Sequence, residues 1–333
     1  PPRSTLFPYT TLFRSDQDDI VCERSFCPQQ DMEALLREKG IPLYTLESFT
    51  PLREFDILGM SLQYELCGTS AINMLDLAGI PLDSSERDED CPLVLGGGPV
   101  CGNPEPFARF FDAFLLGDGE ETIVQIARLW NLYHKTEGLT RAESLERMAR
   151  EIHGFYVPAF YDVEWLPSGE VASIRPNRDV PAIVRSALIM DLEDAPYPER
   201  PLVPVIPIIH ERVVVEIMRG CLNGCRFCSA GMQYRPQRYR SVEKVMEIAR
   251  VNYQHTGYDT VALLSLSSSD HPDIAEMADR LNAEFSPKDV GLSLPSLRIG
   301  KATLDITARL NEVRKSGLTF APEVATDKQR AVV

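Results

Sequence analysis

An apolar run that empties into a cysteine-rich loop constrains this chain more than any other feature. Val213 to Met218 reads as a buried strand, and RGCLNGCRFCSAG follows at once, so Cys221, Cys225 and Cys228 arrive together on one short loop. Gly220 and Gly224 leave the backbone free to wrap closely around whatever the thiols hold. Cysteine thiolates are preferred ligands of iron-sulfur clusters, and a C-x3-C-x2-C loop brings three of them to one cluster while supplying no fourth, which leaves one iron open. The competing readings are a zinc site and plain buried thiols. Zinc asks for four tetrahedral ligands, usually from two paired knuckles, and no second knuckle lies nearby in the sequence.

Composition bounds the rest. A chain of 333 residues, 44% hydrophobic and 25% charged, has the makeup of a soluble globular protein of two domains, and no stretch reads as a membrane span. Eight cysteines without a signal-peptide pattern point to a reducing cytoplasm rather than a disulfide framework, which leaves Cys22, Cys27, Cys67, Cys91 and Cys101 as core thiols. A net charge of -15 and a pI near 4.9 argue against a broad nucleic-acid surface. Arg235, Arg238 and Arg240, just past the cysteines, form a local basic group that reads equally as a solvated loop. Residues 1–15, which include TLFPYTTLFRS, repeat a TLF unit without amphipathic logic; they are set aside as a non-native, adapter-derived segment.

From Asp16 strands and helices alternate, the pattern of a parallel sheet covered by helices. Strands are expected at Ile20 to Phe26, Ile41 to Leu46, Asp56 to Leu62, Leu93 to Leu95 and Ala113 to Leu116. Helices are expected at Gln30 to Lys39, stopped by Gly40, then at Ala71 to Ala78, Pro106 to Phe110 and Thr122 to Tyr133. That describes a five-stranded doubly wound sheet whose ligand crevice lies at the carboxyl ends of its strands, where Ser61, Gly96, Gly97, Gly98, Gly117 and Gly119 fall. Leu139 to Ile152 has helical spacing, and Phe155 to Ile174 reads as a hairpin turning at Pro167-Ser168-Gly169. Tyr197 to Pro207 carries four prolines and reads as an extended strap. Alternation then resumes, with a helix at Val242 to Thr256 capped by Ser241 and strands at Thr260 to Leu266, Val290 to Leu294 and Leu318 to Ala321.

The cysteine loop resembles the radical S-adenosylmethionine (SAM) superfamily, whose motif is C-x3-C-x-aromatic-C; Phe227 stands at the aromatic position. The resemblance implies a 4Fe-4S cluster held by Cys221, Cys225 and Cys228, with the amino and carboxylate groups of SAM on the open iron. It also implies a SAM site at the strand ends: Phe227, then Ser268, Ser269 and Asp270 where many members have G-G-E, Arg298 for the SAM carboxylate and Glu323 for the ribose. DILGMSL, LVLGGGPV and FLLGDGEE resemble the strand ends of the cobalamin-binding domain that precedes many such cores, which makes cobalamin a further candidate cofactor. The D-x-H-x-x-G of that domain is absent, since Ser25 to Asp31 reads SFCPQQD and His134, His153, His210, His255 and His271 all lie further on.

The expected fold class is therefore α/β, a doubly wound, Rossmann-like sheet of cobalamin-binding type over residues 16–137, a connector with a hairpin and Pro-rich strap over 138–209, and a partial TIM barrel over 210–333. Only four of the usual six β/α units of such a core are present, so the chain is expected to be a fragment truncated in its core. The implied activity is reductive cleavage of SAM to a 5'-deoxyadenosyl radical acting on an unknown substrate, with electrons from an external donor such as flavodoxin or ferredoxin. Two other readings stand beside it. One is a methylthiotransferase-like RNA modifier, which needs a second cluster on cysteines such as Cys67, Cys91 and Cys101. The other is a non-catalytic iron-sulfur protein with a structural or regulatory role.

Overall fold

The computed structural model describes residues 17–206, 208–298 and 323–333. The TLF-repeat segment and the strand expected at Leu318 to Ala321 lie outside the described residues. The chain divides into two compact units, Pro1–Leu188 and Ile189–Val333, each with its own apolar core.

In the first unit, helix α1 (Gln30–Lys39) ends at Gly40, whose φ of 63° is a conformation glycine adopts without penalty. Strand β1 (Ile57–Ser61), helix α2 (Cys67–Leu77), β2 (Leu93–Gly97) and β3 (Ala113–Leu115) follow. Helix α3 (Thr122–Trp130) runs into a π-helical turn, and α4 (Arg141–Glu151) opens on a capping box of Thr140 and Glu143. Strand β4 (Phe155–Tyr156) completes a sheet of order β1-β2-β3-β4, with the first three strands parallel and β4 antiparallel to β3. Strands β5 (Tyr161–Trp165) and β6 (Val171–Pro176) form the expected hairpin, but Phe155 and Tyr156 join the main sheet instead of it.

Two expected strands do not form. Ile20 to Phe26 stays irregular because its charged residues bind side chains rather than a ladder: the Glu23 carboxylate accepts from Thr45 Oγ1 at 2.5 Å and Ser48 Oγ at 2.6 Å, and Arg24 Nε donates to Glu47. Val21 is 81% exposed, so no core pulls the segment in. In Ile41 to Leu46, Pro42 removes a ladder donor, and only a single bridge between Tyr44 and Pro51 remains. The α/β class with a parallel sheet stands, on fewer strands than the alternation suggested.

The second unit is built on β7 (Val213–Glu216), β10 (Thr260–Leu264) and β11 (Gly291–Ser293), parallel and in the order β11-β10-β7, with Val261 opposite Val213 and Thr260 opposite Gly291. Between β7 and β10 lie β8 (Met218–Arg219), the short helix α5 (Ala230–Gln233), β9 (Arg238–Tyr239) and helix α6 (Val242–Thr256). Ser241 caps α6 by accepting from Lys244 N at 3.1 Å, and Gly257 ends it in the left-handed region. Val242, Val245, Met246 and Ala249 form its buried stripe. Helix α7 (Ile274–Phe285) packs against α6, and the short α8 (Asp327–Arg330) lies near the end of the described chain.

Two of the three arginines after the cysteines are not surface features. Arg238 and Arg240 are buried, and their guanidinium groups donate to the backbone carbonyls of Ile189, Leu192 and Ala195. Arg235 Nε donates to Gly231 O at 2.8 Å. These arginines hold chain segments together, because buried carbonyls need donors and a guanidinium supplies several at once.

Candidate SAM and cluster site

Three parallel strands send their carboxyl ends to one edge of the second unit: β7 into the cysteine loop, β10 into Ser265 to Asp270, and β11 into Leu294 to Arg298. The base of the cysteine loop is clamped by β8 and β9, which pair Met218 with Tyr239 and Arg219 with Arg238. Ile217 N donates to Leu264 O at 3.0 Å and so ties the start of this clamp to β10. Gly220 sits where the two arms cross: its φ is 93°, and a Cβ there would stand 2.5 Å from Tyr234 O and 2.8 Å from Pro236 O. No other residue type fits that crossing.

Cys221, Cys225 and Cys228 are free thiols, the first two half-buried and the third exposed. Cys228 N donates to Cys225 O at 3.0 Å, which turns the loop between them. Among the described residues no three His, Cys, Asp or Glu side chains stand close enough to grip a metal ion as they are. The donor set nonetheless fits a cluster, with three soft ligands on one glycine-hinged loop, and closing it around iron is left to the metal-thiolate bonds themselves.

Asp270 and Arg298 meet over this loop through a residue the sequence did not single out. Asn223 Nδ2 donates to Asp270 Oδ2 at 2.7 Å and to Cys221 Sγ at 3.2 Å, while its Oδ1 accepts from the Arg298 guanidinium. Arg298 Nη1 lies 4.0 Å from Asp270 Oδ1, and Arg298 N donates to Ser269 Oγ at 3.1 Å. Cys221, Ser269, Asp270 and Arg298 are thus brought together. The only hint at Asn223 in the sequence is the Asn-Gly pair inside the motif, which reads as turn chemistry alone.

The other expected residues have different surroundings. Ser268 is fully buried, its Oγ shared with Ser265 Oγ at 2.9 Å and Leu263 O at 3.3 Å, so it builds the strand-end turn. The neighbouring Ser267 Oγ is buried without a hydrogen-bond partner among the described residues, an orphaned polar group at the end of β10. Phe227 is exposed on the cysteine loop. Glu323 is exposed with a φ of 64°, and the residues before it lie outside the described ones.

In the first unit, three of the glycines at the strand ends are closely approached by the protein itself. A Cβ on Gly117 would stand 2.1 Å from Ala187 O, because Ala187 bridges in parallel to Gly117, donating to Leu116 O and accepting from Asp118 N. A Cβ on Gly96 would run into the Phe114 ring at 2.5 Å. Gly98 backs onto Leu62 O, whereas Ser61, Gly97 and Gly119 remain at the open rim. His134 lies within this unit, but its ring nitrogens sit against the carbonyls of Leu139 and Glu89 and its ring stacks on Trp130. The chain itself fills the space a side chain would take at Gly117, Gly96 and Gly98, which leaves Ser61, Gly97 and Gly119 as the expected positions still open. Cys91 and Cys101 are buried, and burial pushes the Cys101 thiol up to about 12, as befits a core thiol.

Comparison with known proteins bears on both units. A family model described as the N-terminal region of radical SAM proteins matches residues 9–158, and that of the radical SAM superfamily matches residues 215–330. The chain belongs to the radical SAM superfamily. This radical SAM protein is 26% identical over 297 residues to the uncharacterized protein MJ0966 of Methanocaldococcus jannaschii, an alignment covering 89% of this chain and 56% of that one. Among solved structures it is similar to the radical SAM methyltransferase TsrM from Kitasatospora setae. With tryptophan substrate and the SAM analog aza-SAM bound, the identity is 16%, the TM-score 0.47 and the coverage 90% of this chain and 52% of that chain. With cobalamin and a [4Fe-4S] cluster bound, the figures are 13%, 0.47, 88% and 52%. The chain spans about half the length of these proteins.

Proposed function

We propose that this radical SAM protein uses Cys221, Cys225 and Cys228 to hold a 4Fe-4S cluster and the ends of β10 and β11 to hold SAM, and that it generates a 5'-deoxyadenosyl radical for a substrate not yet identified. The observation that carries this reading is the meeting of Asp270 and Arg298 at the Cys221 loop, through Asn223. Bound there, the cluster and SAM supply one-electron reductive cleavage of the sulfonium, with the electron delivered by an external donor such as a flavodoxin or ferredoxin.

The chain's own residues do the positioning. Arg298 offers a guanidinium fork to a carboxylate, and Asp270, beside it, offers an acceptor to an ammonium group. The two charges thereby match an amino-acid moiety in sign. The β8-β9 clamp holds the cysteine loop over the same strand ends, so the ligand that binds Arg298 and Asp270 is kept next to the thiols.

The test is anaerobic reconstitution with iron and sulfide, reduction with dithionite, and an assay for 5'-deoxyadenosine from added SAM. A 4Fe-4S electron paramagnetic resonance signal and deoxyadenosine are expected, and Cys225→Ala is expected to abolish both. A signal unchanged in Cys225→Ala sinks the ligand assignment, while a wild-type cluster that never yields deoxyadenosine, even in a complete relative, favours a non-catalytic iron-sulfur role.

A further inference from the structure

We infer that Asn223 is a positioning residue that sets the reduction potential of the cluster and links it to the residues of the amino-acid site. This rests on the cluster reading above. Asn223 is half-buried, and both ends of its amide are engaged: one Nδ2 contact at 3.2 Å to Cys221 Sγ, one at 2.7 Å to Asp270 Oδ2, and Oδ1 accepting from the Arg298 guanidinium. The amide orientation is fixed by its neighbours, since a carboxylate can only accept and a guanidinium can only donate. Flipping the amide would set its oxygen against Asp270 and its N–H groups against Arg298.

The consequence is electrostatic. A hydrogen bond to a ligand thiolate stabilises the more negative, reduced form of an iron-sulfur cluster and raises its potential. Asp270 and Arg298 hold the donor in place, so what binds to them changes how firmly Asn223 serves Cys221. Asn223 therefore joins ligand occupancy at the strand ends to the ease of reducing the metal site, without itself touching iron.

The test is a redox titration of the reconstituted chain, followed by electron paramagnetic resonance, for wild type, Asn223→Ala, Asn223→Asp and Arg298→Ala. The midpoint of Asn223→Ala is expected below that of wild type. Asn223→Asp, which replaces the donor with a second negative charge beside Asp270, is expected lower still, and Arg298→Ala is expected to shift the same way by less. Equal midpoints in wild type and both Asn223 variants, at equal iron and sulfide content, overturn the inference while leaving the cluster reading intact. Failure of both variants to hold iron while their circular dichroism matches wild type makes Asn223 a loop-folding residue and overturns it too. A wild-type chain that takes up no cluster defeats the cluster reading itself, and the inference with it.

Discussion

Arg298 and His271 show how two charged or titratable side chains a turn away from the same strand ends do different work. Arg298 is exposed and shares its guanidinium between Asn223 and the edge of Asp270. Replacing it with Ala is expected to weaken SAM binding to the reconstituted protein by roughly tenfold to a hundredfold, the worth of one charge-assisted hydrogen bond, with the cluster signal retained. Equilibrium dialysis with labelled SAM measures this, and undiminished binding removes Arg298 from the site. His271 is buried: its Nδ1 accepts from Asp273 N at 3.1 Å, which leaves the proton on Nε2, donated to Arg240 O at 3.1 Å. Burial depresses its pKa below the ordinary imidazole value of about 6.5. The unfolded chain then binds the proton more readily than the folded one, so stability from this group is complete above that value and falls as pH drops below it. Chemical denaturation at pH 7.5 and 5.5 is expected to show a loss for wild type that His271→Asn lacks. Equal pH dependence in the two proteins refutes it.

Elements here are positioned by where their ends cross other backbone. Gly117 has a φ of 101° and admits Ala187 to the edge of β3, an approach that any side chain at 117 would block. Gly117→Ala is expected to lower the melting temperature of the first unit and speed amide exchange at Asp118 and Ala187, whose bonds to their partners would be lost. Gly97→Ala has nothing within 4 Å of its new methyl and is expected to stay within about 0.5 kcal/mol of wild type. Comparable destabilisation by both would show that strand propensity, not the Ala187 crossing, dominates. The same consideration explains which elements were legible. Gln30 to Lys39 and Val242 to Thr256 carry their own stop and start signals in Gly40 and Ser241, and both helices form with the expected bounds. Ile20 to Phe26 looked like a strand from its apolar content, but Glu23 and Arg24 have nearer polar partners than a sheet edge.

Across the molecule the two cores are stabilised differently. Both units have an apolar core, and the first also encloses an ion triad in which Asp112 Oδ2 accepts from Arg87 at 3.0 Å, Arg141 at 2.7 Å and Val94 N at 2.7 Å. Burial pulls the Arg87 pKa down while the Asp112 charge opposes it, the mark of a guanidinium held inside by its partner. Asp112→Ala leaves two buried cations uncompensated and is expected to destabilise the first unit by about 3–5 kcal/mol. Urea denaturation checks this, and a loss below about 1 kcal/mol would mean that the carbonyls around Arg87 and Arg141 suffice. No spacing rule could have found the triad, since its members lie on three separate segments and each reads alone as a surface charge.

The sequence by itself determined the cysteine loop, its strand, the helix caps and the α/β alternation, because these depend on neighbours within a turn or a few residues. It also placed Ser269, Asp270 and Arg298 at strand ends, since parallel strands deliver all their carboxyl ends to one edge. Only the tertiary structure decided that Asn223 joins them, that Ser268 is core, that Arg238 and Arg240 serve carbonyls, and that Ala187 fills the face of Gly117. Each of those depends on a contact between segments far apart in the chain, and local propensity carries no information about which distant backbone or side chain will arrive to satisfy a buried group.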